Sequence, residues 1–398
     1  MRILFLSPWF PARPDNGIKT RLYHLLRALS HRHEIILLSF LREGDIESTD
    51  ELGKFCSSIK TVPWKPFNPN RFRALTGFLS PTPRSVVDTY NSEMTDLVRE
   101  AGRHQQSDIV IASTMDMAPY ALEANARVRV LEEHNSMTGW MKENFSTQSS
   151  YLKRARARLT FQKHRWYESH LYSEFDACTM VSENDAESVR TLLSVNIPIR
   201  VIPNGVDLDA NRFQAFSSNP NTLIYNGSLT YSANLDAMQY FVAAIWQRIK
   251  GQAPQVTLKI TGSTNGVAIE SFTKFAGINF TGYVQDIARE VGSSWICVTP
   301  IRTGSGTRLK ILEAMALGTP VVSTTKGAEG LKVHHGENIY LADQPDAFAE
   351  QVLCLLRDKN LRDRIALNAR KLVEAEYGWD QCGAKFESFM QEIEKRKQ

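Results

Sequence analysis

Apolar residues along the chain gather into short unbroken runs. Each run is followed by a polar turn and then by apolar residues three and four apart. Residues 2–8 form the first run, and Leu22, Leu25, Leu26 and Leu29 then recur at helical spacing up to about His31. The runs EIILLSF from residue 34, DIVIAS from 108, VRVLEEHN from 128, ACTMVS from 177 and VIPNGV from 201 continue the alternation. Pro203-Asn204-Gly205 is a turn signal that closes this series. A second series follows: TLIYNGS from 222, VTLKITG from 256, INFTGYV from 278, WICVTP from 295 and PVVST from 320. Strands alternating with helices predict parallel sheets covered on both faces, an α/β class. A basic, amphipathic helix is predicted from about Asp380.

Bulk numbers change this picture little. The 398 residues suffice for two α/β domains, each with its own core. Hydrophobic content of 42% and charged content of 23% are ordinary for a globular protein. A net charge of +4 is too small to argue for nucleic acid. The five cysteines are widely spaced, with no CxxC or zinc pattern, which predicts a reducing, cytoplasmic compartment. The apolar N-terminal run is short and meets two prolines, so it predicts a buried strand rather than a signal segment. No run approaches the length of a membrane span.

One region breaks the rhythm. Residues 52–87 contain no acidic residue, and Lys54, Lys60, Lys65, Arg71, Arg73 and Arg84 alternate with Trp64, Phe67, Phe72 and Phe78. Residues 60–86 suit an anionic membrane surface or an anionic acceptor, or else form a loop with solvated cations. The helix after Gly139 carries Lys153, Arg154, Arg156, Arg158, Lys163 and Arg165, and reads as a surface-charged helix.

The densest chemistry lies in residues 304–331, GSGTRLKILEAMALGTPVVSTTKGAEGL. It predicts loop, helix, turn, strand and loop. Gly304 and Gly306 flank Ser305 and let the backbone approach a ligand closely. Thr307 is placed to cap the helix, and Gly318 and Pro320 end it. A glycine loop at a helix N-terminus is an anion site. Arg308 and Lys310 put two cations in the first turn, against the helix dipole, which points to a bound anion. Glu313 lies between Leu309 and Leu317 at the edge of the apolar face and needs a partner. That partner is the ribose diol of a nucleotide or, in an ordinary capped helix, Lys310 or Arg308.

This stretch resembles the donor-site signature of the retaining GT-B glycosyltransferases of family 4, where a Gly-rich loop leads into a helix reading roughly LEAMA-x-G-x-PVV. The resemblance implies two Rossmann-like domains with parallel sheets facing across a cleft. Residues 1–204 would take the acceptor side, with the helix 380–398 packing back on them, and 205–379 would bind the nucleotide sugar. It implies a hexosyltransferase that needs no metal or other cofactor. A sugar would move from a UDP- or GDP-linked donor to a lipid-linked or growing glycan at the inner membrane face. The leaving diphosphate, held by amides and cations, would act on the incoming hydroxyl from the same face.

Individual residues follow. In the first loop one family glycine is Asn16 here, which tolerates a left-handed backbone, and Gly17 is retained. His134, after the strand at 128, matches the family histidine that reaches the donor sugar; on its own it reads as a structural histidine. Gly227 and Ser228 follow the first strand of the second series, where many family members carry an Arg and a Lys for the diphosphate. This chain has Ser228, Leu229 and, near the expected lysine, Asn234. Arg308 and Lys310 are therefore expected to supply that charge, beside backbone donors from Gly304 to Thr307. Tyr283 and Val284 fall in the loop that reads the base. The family's first donor-site glutamate falls at Ser305. Asp207-Leu208-Asp209 is a literal DxD, but it follows Pro-Asn-Gly and reads as a turn rather than a metal site. Two other readings fit the same residues: a nucleotide-sugar 2-epimerase on the GT-B fold, and a non-catalytic nucleotide-sugar-binding partner in a glycan assembly complex.

Overall fold

The computed structural model describes residues 1–12, 16–45, 49–103, 105–138, 141, 151–193, 195–212, 219–304 and 306–397. The chain forms two compact units, Met1–Pro203 with Cys382–Gln398, and Asn204–Gln381.

In the first unit the strands are β1 (Arg2–Ser7), β2 (Glu34–Leu41), β3 (Ser58–Pro63), β4 (Ser107–Ser113), β5 (Ala126–Glu132), β6 (Ala177–Met180) and β7 (Ile199–Val201). They make one sheet in the order β3-β2-β1-β4-β5-β6-β7, every pair parallel. Successive side chains of a strand point to opposite faces. Thus Leu4 and Leu6 join one apolar cluster, while Ile3 and Phe5 join another that includes Leu22, Leu25, Leu26 and Leu29 of the helix Gly17–Ser30. Both faces of β1 are covered, which is why its sequence is apolar without alternation. The helix Trp379–Arg396 adds Phe386, Phe389, Met390 and Ile393 to the second cluster.

The second unit repeats the plan with β8 (Asn219–Asn226), β9 (Thr257–Thr261), β10 (Ile278–Gly282), β11 (Ser294–Thr299), β12 (Val321–Ser323) and β13 (Tyr340–Leu341). Their order is β10-β9-β8-β11-β12-β13, again all parallel. Leu223 and Tyr225 face one cluster and Ile224 the other. In each sheet the direction of winding reverses once, between β1 and β4 and between β8 and β11. The crevice at the carboxyl ends of the strands beside such a switch is where doubly wound sheets hold ligands.

Three local expectations need correction. Residues 52–87 are not a loose loop: they include β3 and two short helices, Phe72–Thr76 and Arg84–Thr89. Asn16 does not use a left-handed backbone. Its φ is −147°, and its side chain accepts hydrogen bonds from the Ile18 and Lys19 amides as the cap of the first helix. Thr307 does not cap its helix, which runs Leu309–Ala316 with Arg308 at the cap position and no side-chain cap bond. Gly304 and Gly306 take φ of +93° and +85°, and the buried Thr307 hydroxyl has no hydrogen-bond partner among the described residues.

Candidate active site

In the second unit the site starts from the carboxyl ends of β8 and β11, beside the switch point. The helix Leu309–Ala316 begins there, and Lys310 in its first turn reaches back over β8. Its ammonium donates to the Tyr225 hydroxyl at 2.9 Å and to Asn234 Oδ1 at 3.0 Å, and lies 4.1 Å from the centre of the Tyr225 ring. Tyr225 donates in turn to Asn234 Oδ1 at 2.7 Å, and Asn234 Nδ2 donates to the Ser228 carbonyl at 2.7 Å. Every acceptor in this ring is neutral. An ammonium has three donors, and two are used. Burial draws the Lys310 pKa down to about 7; Cys297 opposes it, Arg308 adds to it, and Glu313 opposes it least.

Gly227 lies directly under that ammonium. A Cβ there would stand 2.5 Å from Lys310 Nζ and 3.0 Å from Asn234 Nδ2. Gly262, with φ +100°, packs against the backbone of Gly227 and Ser228, where a Cβ would come within 2.6 Å of the Ser228 amide. The floor of the site is thus backbone, set close by two glycines. Ser228 turns its hydroxyl to the Ser263 carbonyl at 3.0 Å and to Thr230 at 2.7 Å.

Glu313 lies one turn beyond Lys310 but forms no ion pair with it. One carboxylate oxygen accepts from Asn226 Nδ2 at 3.2 Å, and the other accepts nothing among the described residues. The Asn226 amide is oriented by the Cys297 thiol, which donates to its Oδ1 at 3.6 Å. Burial raises the Glu313 pKa, with Lys310 and Asn226 only partly offsetting it. Arg308 donates to the Thr303 carbonyl at 3.3 Å, and its guanidinium lies near the Gly304 backbone. Ser305 lies outside the described residues. Leu309 is half-buried at the start of the helix, and Tyr283 is 86% exposed. Val284 lines a surface cavity of about 510 Å³ with Asp286, Arg289 and Glu290. Neither Lys310 nor Glu313 borders it, so it is separate from the charged site. Asp207 accepts from the Asp209 and Ala210 amides at 2.9 Å, a turn role.

In the first unit the carboxyl ends of the strands carry two groups. His134, just past β5, places Nε2 3.0 Å from Glu132 Oε2 and 3.3 Å from Ser113 Oγ. Ser113 donates to the same carboxylate at 2.7 Å, and Arg21 Nε donates to its other oxygen at 2.6 Å. Arg21 also donates to the carbonyls of Ile202 and Pro203. Burial alone would raise the Glu132 pKa, but His134 and the Arg21 guanidinium hold it well below the carboxylate range. Gly17 opens the helix that carries Arg21. The second group stands at the ends of β1, β2, β3 and β4. The Arg42 guanidinium sits 3.6 Å from the Trp9 ring centre and 4.2 Å from that of Trp64. Burial raises the pKa of Asp116, with Arg42 offsetting it. Asp116 makes no hydrogen bond or ion pair among the described residues. Sequence reading missed Arg21, Ser113, Arg42 and Asp116. The only signal was position: each lies at a strand end or on the first helix.

Comparison with known proteins agrees with this anatomy. Residues 15–210 match the family model described as Glycosyltransferase Family 4, and residues 220–358 match Glycosyl transferases group 1. The chain is 21% identical to an uncharacterized 44.6 kDa protein in the cps region of Klebsiella pneumoniae, over 94% of this chain and 96% of that one. It is 32% identical to the capsular polysaccharide biosynthesis glycosyltransferase CapM of Staphylococcus aureus, over 21% of this chain and 23% of CapM. The fold is similar to Anabaena HepE in complex with UDP and glucose, with a TM-score of 0.69 at 17% identity, covering 98% of this chain and 100% of HepE. It is also similar to WaaG, a glycosyltransferase involved in lipopolysaccharide biosynthesis, with a TM-score of 0.68 at 13% identity, covering 98% and 99%. The chain is therefore an enzyme of the glycosyltransferase class on the GT-B fold, similar in its first part to the Family 4 model and in its second to the group 1 model.

Proposed function

We propose that the chain is a retaining, metal-independent hexosyltransferase that moves a sugar from a UDP- or GDP-linked donor to a lipid-linked or growing glycan. It would work in the cytoplasm, at the inner face of the membrane. One observation carries the reading. Lys310 holds an ammonium among neutral oxygens, with no carboxylate paired to it among the described residues, beside the backbone floor of Gly227. A diphosphate supplies the missing charge, and a pKa drawn down to about 7 rises when it binds. Arg308 and the amides of the positive-φ loop add donors to the same anion, in place of the basic pair that Ser228 and Leu229 lack. Stabilising the leaving diphosphate in this way lowers the barrier to sugar transfer, and the diphosphate then takes the proton of the incoming hydroxyl. The free oxygen of Glu313 is set to accept from the ribose. His134, its Nε2 held by Glu132, leaves Nδ1 to meet a sugar hydroxyl. Asp116 and the Arg42 fork between two indoles suit an acceptor that presents hydroxyls beside an anionic group. The capsule-related names among the relatives support a polysaccharide pathway.

The test is thermal shift with UDP, GDP and their hexose conjugates, followed by donor hydrolysis without acceptor. One nucleotide should raise the melting temperature, and its sugar conjugate should be slowly hydrolysed. No shift with any of them at millimolar concentration would overturn the donor reading. Binding without hydrolysis or transfer would instead favour the non-catalytic partner.

A further inference from the structure

We propose that the first unit docks on an anionic lipid bilayer through one face built from residues 72–79 and the helix Tyr151–Ser173. This rests on the reading that the acceptor is membrane-linked, and names the surface that would bring the enzyme to it. The two segments meet where Lys163 Nζ donates to the Gly77 carbonyl at 2.5 Å, and the Arg84 guanidinium covers the Phe78 ring at 3.9 Å. Leu159, Lys163 and Trp166 share one helix face, being spaced four and three apart. Exposed apolar side chains therefore flank the junction on both sides. Leu79 is 95% exposed, Phe72 80%, Leu159 73% and Phe78 62%. From residue 154 to 167 the helix half-buries Ala157, Phe161, Lys163, His164 and Tyr167, and leaves the other side chains exposed. That stripe faces the first unit, and the opposite side, with Leu159 and Trp166, stays open to a partner.

The charges are as one-sided as the apolar groups. Arg73, Arg156, Arg158 and Arg165 are exposed, and the last three have no carboxylate partner among the described residues. The helix holds a single carboxylate, Glu168, which is buried and accepts from the Thr138 amide. Residues 52–87 hold none. A soluble polyanion would answer the arginines but leave Leu79, Phe72 and Leu159 in water. A second copy docking face to face would bring like charges together. An anionic bilayer satisfies both sets, since the side chains enter the acyl boundary while the guanidinium groups meet headgroup phosphates.

The experiment is flotation of the whole chain, without donor, on phosphatidylcholine vesicles and on the same vesicles containing phosphatidylglycerol, at low and high salt. The wild type should float only with the anionic vesicles, and high salt should release much of it. A Leu79→Ser, Leu159→Ser double variant and an Arg156→Gln, Arg158→Gln, Arg165→Gln triple variant should each lose at least tenfold in vesicle binding. Their thermal shift with the nucleotide should match the wild type, which separates failure at this face from failure of the donor reading. Equal flotation on neutral vesicles, wild-type binding by either variant, or a concentration-dependent dimer abolished by the double variant would each overturn the proposal. So would dextran sulfate binding that competes away the vesicles and ignores Leu79 and Leu159.

Discussion

Each unit places a cation at the carboxyl end of its sheet, and the two differ in what surrounds it. Arg21 is closed in: a carboxylate at 2.6 Å, two backbone carbonyls, and a histidine and a serine on the far side of that carboxylate. Lys310 is held by a phenol and an amide, both neutral, and the nearby Glu313 is bonded elsewhere. In the first cluster the charges hold Glu132 in its ionised form. In the second, burial pushes Lys310 and Glu313 each toward neutrality. A buried charge with its counter-charge present stabilises the fold only modestly, yet breaking the pair is costly. A buried charge without one carries a standing cost that a ligand of opposite sign removes. On the proposed reading, the first arrangement fixes His134 in place and the second receives an anion.

The largest effect should come from breaking the closed cluster. Glu132→Ala leaves Arg21 buried without its carboxylate, and should cost about 3–5 kcal/mol of stability, read by urea unfolding. A loss under about 1 kcal/mol would erase the contrast between the two sites. Lys310→Ala should behave in the opposite way. Nucleotide affinity should fall by about 1.5–3 kcal/mol, the scale of a charged hydrogen bond, while stability holds or rises. Calorimetric titration with UDP and GDP measures the first quantity. If that variant unfolds easily but binds normally, the receptor role belongs elsewhere.

A pH series sharpens the same point. With a folded pKa of about 7 against an ordinary lysine value of 10.5, the unfolded chain binds more protons between those limits. The Lys310 penalty is therefore full below pH 7 and fades as pH rises through that window. A bound diphosphate raises the folded pKa again, so binding takes up a proton. Nucleotide affinity should be highest near pH 7 and fall by about tenfold per pH unit above it, until the pKa of the complex is reached. A pH-independent affinity, or no proton uptake in buffers of different ionisation enthalpy, would show that Lys310 stays charged throughout. The smallest effect is steric. In Gly227→Ala the new methyl displaces the Lys310 ammonium rather than the fold, so affinity should drop in the same direction as in Lys310→Ala but by less. A wild-type affinity would mean that the lysine reaches the anion by another path.

Much of the architecture was legible because β1, β4, β8 and β11 are buried on both faces and read as unbroken apolar runs. β3 was not: only Val62 is buried in it, and Lys60 and Pro63 give it the look of a loop. β13 is two residues long, too short to carry a period. At the site, the glycines and the helix after them were visible as a local pattern. The surroundings of Lys310 were not, because Tyr225 and Asn234 lie 85 and 76 residues away along the chain. The same holds for Arg21, which sits within a leucine-rich helix and gains its meaning from Glu132, 111 residues on. Thr307 misled for a different reason. Its residue type favours a cap, and two positive-φ glycines moved it out of register.

The helix that returns Phe386, Phe389, Met390 and Ile393 to the first unit bears on how the chain is made. The second unit is continuous from Asn204 to Gln381, so its core can close as soon as that segment has left the ribosome. The first unit is synthesised earlier and yet finishes later. Until residues 382–398 emerge, the face of its sheet bearing Ile3, Phe5, Ile109 and Ile111 lacks part of its cover. The order of folding is then the reverse of the order of synthesis, and the window in which a chaperone has most to protect belongs to the N-terminal half.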